Sequence, residues 1–238
     1  MVAFEAWQET IAQNLASAGV PGYKRSQATF STEVADVMKV KHGQAVSQTE
    51  QGVIPVSKRA LNTTPGAFSY TGIDSNFAIS GEGYFRVRMP DGTNGYTRNG
   101  NFRIAEDYTL VTQEGAVVEG DGGPIAFRQQ GGRIFINSEG RIIQDDQQIG
   151  RLAVFKFDRP QDLHRIGNGI LGPVGDNPAT AIPNAPVLHM TVEGSNVQMM
   201  EEMVNMISLN RAYDSAKKIL DVSDDSAGKA IQYLGGQS

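Results

Sequence analysis

The chain has 238 residues, a formal net charge of −5 and no cysteine. Its length allows one large or two modest domains, and the missing thiols exclude disulfides, thiolate nucleophiles and cysteine-ligated metals. Acidic and basic residues are interspersed, which leaves no electrostatic footprint for nucleic acid, and no apolar run reaches the roughly 20 residues that insertion in a membrane requires.

The first residues, Met1-Val-Ala-Phe-Glu, lack the basic leader and apolar core of a cleaved secretory signal, so none is expected. Phe4, Trp7, Ile11, Leu15 and Ala18 recur at helical spacing and predict a helix over residues 3–18. Gly19 supplies its stop, and Pro21-Gly22 prevents continuation. A helix of this size, about 24 Å long, is marginal alone, so its stripe needs a partner. Taken by itself it also fits an ordinary surface helix. Residues 26–65 are polar with no firm period and read as an extended linker with some strand.

From about residue 66 to 157, within an expected β-rich domain of residues 66–192, the period switches to two. Phe85, Val87 and Met89 alternate with Tyr84, Arg86 and Arg88; Phe102 and Ile104 alternate with Asn101 and Arg103. Asp91-Gly92, Asn94-Gly95 and Asn99-Gly100 favour tight hairpin turns. Short runs at Val117-Val118, Ile125–Phe127, Ile134–Ile136 and Ile142-Ile143 are bounded by glycine. These features predict an antiparallel, β-rich domain.

From residue 193 to 238 the pattern is helical again. Ser195-Asn-Val-Gln198 fits a capping box, and about 40 residues follow, roughly 60 Å if unbroken. One apolar stripe runs Met199, Met203, Met206, Tyr213, Leu220, Ala227, Ile231, Leu234; another runs Val197, Met200, Val204, Ile207. Spacings of three, four and seven residues belong to helices that bury a face on other helices. The fold class is therefore mixed α+β: a central antiparallel β-rich domain between N- and C-terminal helices whose apolar stripes need helical partners.

Catalytic signals are weak. His42, His164 and His189 are scattered, without metal-site spacing. Gly120-Asp-Gly-Gly-Pro124 and Gly131-Gly132 read as turns, because β runs follow them and no Lys-Ser/Thr is present. Asp145-Asp146 and Asp224-Asp225 are solvated surface by default. Asn62-Thr63-Thr64 is a formal glycosylation sequon, weak without a secretory leader. No catalytic, cofactor-binding or metal-ligating residues are expected, and the chain does not read as an enzyme.

Three motif blocks resemble the flagellar rod, hook and hook-associated family. Gln13-Asn14-Leu15-Ala16-Ser17 with Pro21-Gly22-Tyr23-Lys24-Arg25-Ser26 is similar to the family's N-terminal signature. In the middle, Phe77-Ala-Ile-Ser-Gly-Glu-Gly-Tyr-Phe85 and Tyr96-Thr-Arg-Asn-Gly-Asn-Phe102 resemble a block shared by rod proteins. Glu193-Gly-Ser195-Asn196-Val197, Glu202–Ile207 and Arg211-Ala-Tyr213 resemble the C-terminal signature. Ser75-Asn76, where the family shows Leu-Asp, and Asn210, where Gln is common, depart from it.

The resemblance implies a proximal-rod type of structural subunit, with a distal-rod or hook-type subunit as the alternative, and N- and C-terminal helices that pair into a coiled-coil-like inner domain beside the β domain. Its implied partners are other rod subunits, further copies of itself and the flagellar type III export apparatus. A dimer or tetramer through the terminal helices is expected for the isolated chain. The expected assembly interface comprises Phe4, Trp7, Ile11, Leu15, Val197, Met200, Met203, Val204, Met206, Ile207, Tyr213 and Leu220, the first four packing on Met203, Ile207, Tyr213 and Leu220 within or between subunits. Two other classes stay open: an enzymatic β domain with helical oligomerisation ends, and a carbohydrate-binding module, which would present Tyr70, Tyr84, Tyr96 and Tyr108 on one face.

Overall fold

Two helices bracket the chain: α1 spans Val2–Ala16 and α2 spans Met199–Gly235. A computed structural model describes residues 2–38, 49–129, 132–137, 139–167 and 169–235; His42 and Gly131 lie outside the described residues. Between the helices the strands pair antiparallel, so mixed α+β is the observed class.

The segment expected as a linker holds two long strands, β1 (Ser26–Met38) and β2 (Thr49–Leu61), paired from Ser26↔Leu61 to Met38↔Thr49. Their apolar residues alternate only in short pieces, Ala28, Phe30 and Val34 in β1 and Ile54 and Val56 in β2, interrupted by Thr32 and by Lys58, so no firm period is legible.

Three further short strands follow: β3 (Phe68–Tyr70), β4 (Phe77–Ile79) and β5 (Tyr84–Arg88). Next comes β6 (Asn94–Thr97), which pairs with β5; beyond β6 the sheet continues through Ile170–Gly172 to His164–Gly167. On its other side β5 meets Val117–Gly120, then Leu110–Val111 and Arg103–Ile104. Val154–Phe157 also pairs with β5. The alternation of β5 divides the core. Phe85 and Val87 enter a cluster with Phe77, Phe102, Leu110, Val118 and Ile142, where the Phe85 and Phe102 rings meet edge-on at 5.3 Å. Tyr84 turns to the opposite face and joins Tyr96, Phe157 and Leu163. Both faces of the strand are therefore covered, which holds the β body rigid behind the chain ends.

Only one of the three predicted glycine turns forms as a hairpin. Asp91-Gly92 joins β5 to β6, with Gly92 at φ +84° and the Asp91 carboxylate accepting the Thr93 N–H (2.9 Å) and hydroxyl (2.6 Å). Asn94-Gly95 instead lies inside β6, where a Cβ on Gly95 would stand 2.4 Å from Ile170 Cγ2. Gly100 lies against β4: a Cβ there would be 1.5 Å from the Phe77 carbonyl oxygen. Those two glycines serve close approach rather than turning. The predicted alternation also fails at Ile104, which is exposed.

The helix boundaries shift as well. α1 ends at Ala16, before Gly19, which does not have a positive φ; Gly22, at +67°, is the residue that needs to be glycine. No capping box forms at Ser195. Its hydroxyl accepts the Val197 N–H at 3.2 Å, and the helix starts four residues later at Met199. Asn196 is held by the base of the β1–β2 pair, through the Asn62 carbonyl and the Arg25 N–H, ahead of the first helical residue.

Candidate assembly interface and its junction

Both chain ends and the middle motif block converge on a buried polar knot. Lys24 Nζ lies 2.6 Å from Glu193 Oε1, with side-chain exposures of 2% and 0%, and also donates to Thr64 O at 2.9 Å. Glu193 Oε2 receives Arg98 Nη1 at 3.1 Å, while Arg98 also donates to the Ile79 and Gly81 carbonyls. Glu193 Oε1 further accepts the Gly66 N–H at 3.0 Å. Burial pushes the Lys24 ammonium below its ordinary value, and Glu193 only partly opposes this. The Gly22 N–H reaches the Glu193 carbonyl at 2.7 Å, and a Cβ on Gly22 would fall 2.2 Å from Asn99 N. Three distant segments thus close on one carboxylate.

A second cluster ties the helices to this knot. Asn14 on α1 donates to Ser26 O (2.8 Å), and its Oδ1 accepts the Ser26 N–H (2.9 Å) and the Tyr23 hydroxyl (3.3 Å). Its Nδ2 also reaches Glu202 Oε1 on α2 at 3.4 Å. Arg25 pairs with Glu202 at 2.5 Å and Glu201 at 3.1 Å; two carboxylates in the first turn of α2 also suit the positive end of its dipole. Asn196 accepts the Arg25 N–H at 2.6 Å and donates to the Asn62 and Thr64 carbonyls. The sequon residue Asn62 is itself engaged, accepting the Thr64 N–H and hydroxyl. Motif residues Asn14, Gly22, Tyr23, Lys24 and Asn196 therefore meet in one place. Glu193, Glu202 and Arg98, which lie in the same motif blocks but were not expected as site residues, complete the arrangement. Lone charged residues bordering apolar runs give no sign of burial, since their partners are far away in sequence.

α1 and α2 touch, with the Phe4 and Tyr213 rings edge-on at 6.0 Å. The inner side of α2 carries Glu202 and Leu209, the latter 3% exposed, with Tyr213 half-buried beside them. At about 100° per residue, Met200, Val204 and Ile207 point to the opposite side of the helix. They are 73%, 58% and 54% exposed. The expected packing of α1 on Met203 and Ile207 does not bury those residues, and Trp7 too is exposed. Ile11 is buried and Leu15 half-buried, because the buried side of α1 runs through Thr10, Ile11 and Asn14. Val197, Ser195 and Met206 are half-buried, Ala16 and Arg211 exposed. The side chain of Leu220 lies outside the described residues, as do those of Ala227, Ile231 and Leu234.

Other candidate features take structural places. His189 stacks on Phe77 (5.9 Å between centroids) and contacts Asp74 O, while His164 is exposed. Asp145 and Asp146, at φ +50° and +61°, form the two-residue turn between Arg141–Gln144 and Gln147–Arg151. The one-faced aromatic surface of a carbohydrate module does not form. Tyr84 and Tyr96 are buried in the core with Phe157, leaving Tyr70 exposed on β3.

A β body that knots both chain ends together, and a long helix whose outer apolar side is uncovered by its own chain, define a structural subunit built to assemble. Family models agree: one described as the flagellar hook protein FlgE/F/G D1 domain matches residues 78–144, and one described as the flagellar basal body rod FlgEFG protein C-terminal matches residues 191–233. A flagellar basal-body rod protein FlgF of Rhizobium meliloti is 30% identical over 237 residues, covering 99% of this chain and 94% of that protein. FlgF of Salmonella typhimurium is 28% identical over 95% of this chain and 92% of its own length. FlgG of Buchnera aphidicola subsp. Baizongia pistaciae is 30% identical over 92% and 90%. The chain belongs to the flagellar basal-body rod protein family.

Proposed function

We propose that the chain is a structural, non-enzymatic subunit of the flagellar basal-body rod, of the proximal FlgF type, assembling with copies of itself and with other rod or hook subunits through its terminal helices. The observation that carries this reading is the uncovered Met200–Val204–Ile207 side of α2, opposite the side that meets α1. Contiguous exposed apolar surface marks an interaction site, and a helix apolar on two sides needs partners on both. In this reading α1 pairs with α2 as a coiled-coil-like inner domain, which the Phe4–Tyr213 contact and the helical spacings support. The helical domain then comprises residues 1–25 and 193–238, and the β domain residues 66–192. Export through the flagellar type III apparatus, and a dimer or tetramer of the isolated chain, belong to the same reading and rest on the family resemblance and the open helix side.

The test is Val204→Asp with Ile207→Asp, expressed in a strain lacking its own copy. Thermal unfolding should be unchanged, since both residues are exposed, while the chain should be missing from isolated basal bodies and motility lost. Normal incorporation of the doubly substituted chain refutes the reading. Removing residues 1–18 is a poorer test, because it also removes Asn14 from the buried junction.

A further inference from the structure

Beside the junction, segment 159–176 and the adjoining ends of β1 and β2 enclose a groove of about 810 Å³. Arg59, Arg159 and Arg165 line it with Leu163 and the carboxylates Asp162 and Asp176, while Ile166 and Val174 are exposed along it. Arg59 pairs with Glu9 at 2.6 Å and Arg159 faces Asp162 at 3.7 Å. Arg165 differs. Its guanidinium lies 4.0 Å over the Tyr23 ring and donates to Lys24 O at 3.1 Å, yet no carboxylate among the described residues is within ion-pair distance of it. Burial disfavours its charge, so an incoming carboxylate there would count for more than at an open surface. The groove thus asks for an occupant that carries an acid beside apolar side chains.

The outer side of α2 offers that combination. Ile219 and Val222 are exposed, 68% and 65%, and Asp225 is exposed as well. At intervals of three residues they lie on one side of the helix. Residue 219 stands some 20 residues beyond the start of α2, about 30 Å along a single helix, whereas the groove adjoins Gln13 and Ser26 at the junction. The helix cannot fold back into its own groove.

We propose that the groove seats the Ile219–Val222–Asp225 side of α2 from a second copy of the chain, with Asp225 against Arg165 and the two apolar residues against Ile166 and Val174. The inference rests on the rod-subunit reading and adds to it one specific contact. Groove and helix are different surfaces, so the contact is head-to-tail, and copies joined by it form an open helical row when the rotation between them does not close a ring.

The cysteine-free sequence permits a direct test. Val174→Cys and Val222→Cys together, treated with a short bis-maleimide in isolated basal bodies, should yield a ladder of cross-linked chains. Neither single variant should yield one. Arg165→Glu should abolish incorporation, and Asp225→Arg in the same chain should restore it at least in part. Normal assembly of the double-cysteine chain without a ladder overturns the groove contact and leaves the rod reading standing. A cross-linked dimer from Val174→Cys alone would set groove against groove and also overturns it. Absence of the wild-type chain from basal bodies removes both.

Discussion

Lys24 and Glu193, 169 positions apart in the chain, form a buried ion pair at 2.6 Å. Neither charge is exposed enough for water to stabilise it, so each depends on the other; Arg98 gives Glu193 a second cation while disfavouring the like charge on Lys24. A buried carboxylate shared between two cations locks the start of β1 and the approach to α2 to the same point of the β body. That lock sets where the helices leave it, and therefore where their outer surfaces meet neighbours.

Loss of the carboxylate should cost more than loss of either cation. Glu193→Gln leaves Lys24 and Arg98 both buried without a counter-charge and should destabilise by about 3–5 kcal/mol. Lys24→Met keeps the Arg98–Glu193 contact and should cost less. Urea unfolding of the two variants decides the order, and equal costs would mean that Arg98 does not share the carboxylate.

Stability should also depend on pH through Lys24. Its folded-state value lies below the ordinary 10.5, so between the two values the unfolded chain binds more protons than the folded one. Stability contributed by this group should rise with pH across that window and level off above 10.5. Below the folded-state value the full penalty of charging a buried amine remains. Unfolding free energies of wild type minus Lys24→Met, followed upward from neutral pH, should increase; a decrease would contradict the sign.

Two neighbouring glycines should behave in opposite ways. Gly22→Ala places a Cβ 2.2 Å from Asn99 N at a φ of +67°, and the chain should lose at least about 3 kcal/mol. Gly19→Ala meets nothing within 4 Å and has no positive φ, so its effect should stay within about 0.5 kcal/mol or be slightly stabilising. Paired thermal melts make the comparison.

The two sides of α2 should separate in stability measurements on the isolated chain. Leu209→Ala empties a buried position and should cost about 2–4 kcal/mol. Ile207→Ala, two residues away but exposed, should change stability by less than about 0.5 kcal/mol. If Ile207→Ala proves equally costly in the monomer, the outer side of the helix is covered by its own chain.

The Asp145-Asp146 turn carries two L-residues in left-handed backbone. Asp146→Gly should remove most of that strain and one of two adjacent like charges, adding about 0.5–1 kcal/mol, or roughly 1–4 °C in melting temperature.

By itself the sequence determined the two end helices, the β-rich middle and the Asp91-Gly92 hairpin. Each follows from local periodicity or turn chemistry, and one-sided burial imprints a period on neighbouring residues whatever the distant partner. The motif residues Asn14, Tyr23, Lys24 and Asn196 were visible too, but only as a resemblance; their meeting point was not. Tertiary structure alone decided that Gly95 and Gly100 serve close approach instead of turns, that β1 and β2 pair, and that Glu193 and Glu202 are buried. It also decided which side of α2 faces α1. The apolar spacing of Met200, Val204 and Ile207 shows that they seek burial, but only packing reveals that Glu202, Leu209 and Tyr213 occupy the inner side. A helix pattern records how many faces are apolar. Which face the chain itself covers depends on groups that approach from far along the sequence, and here those groups leave the methionine-bearing side open.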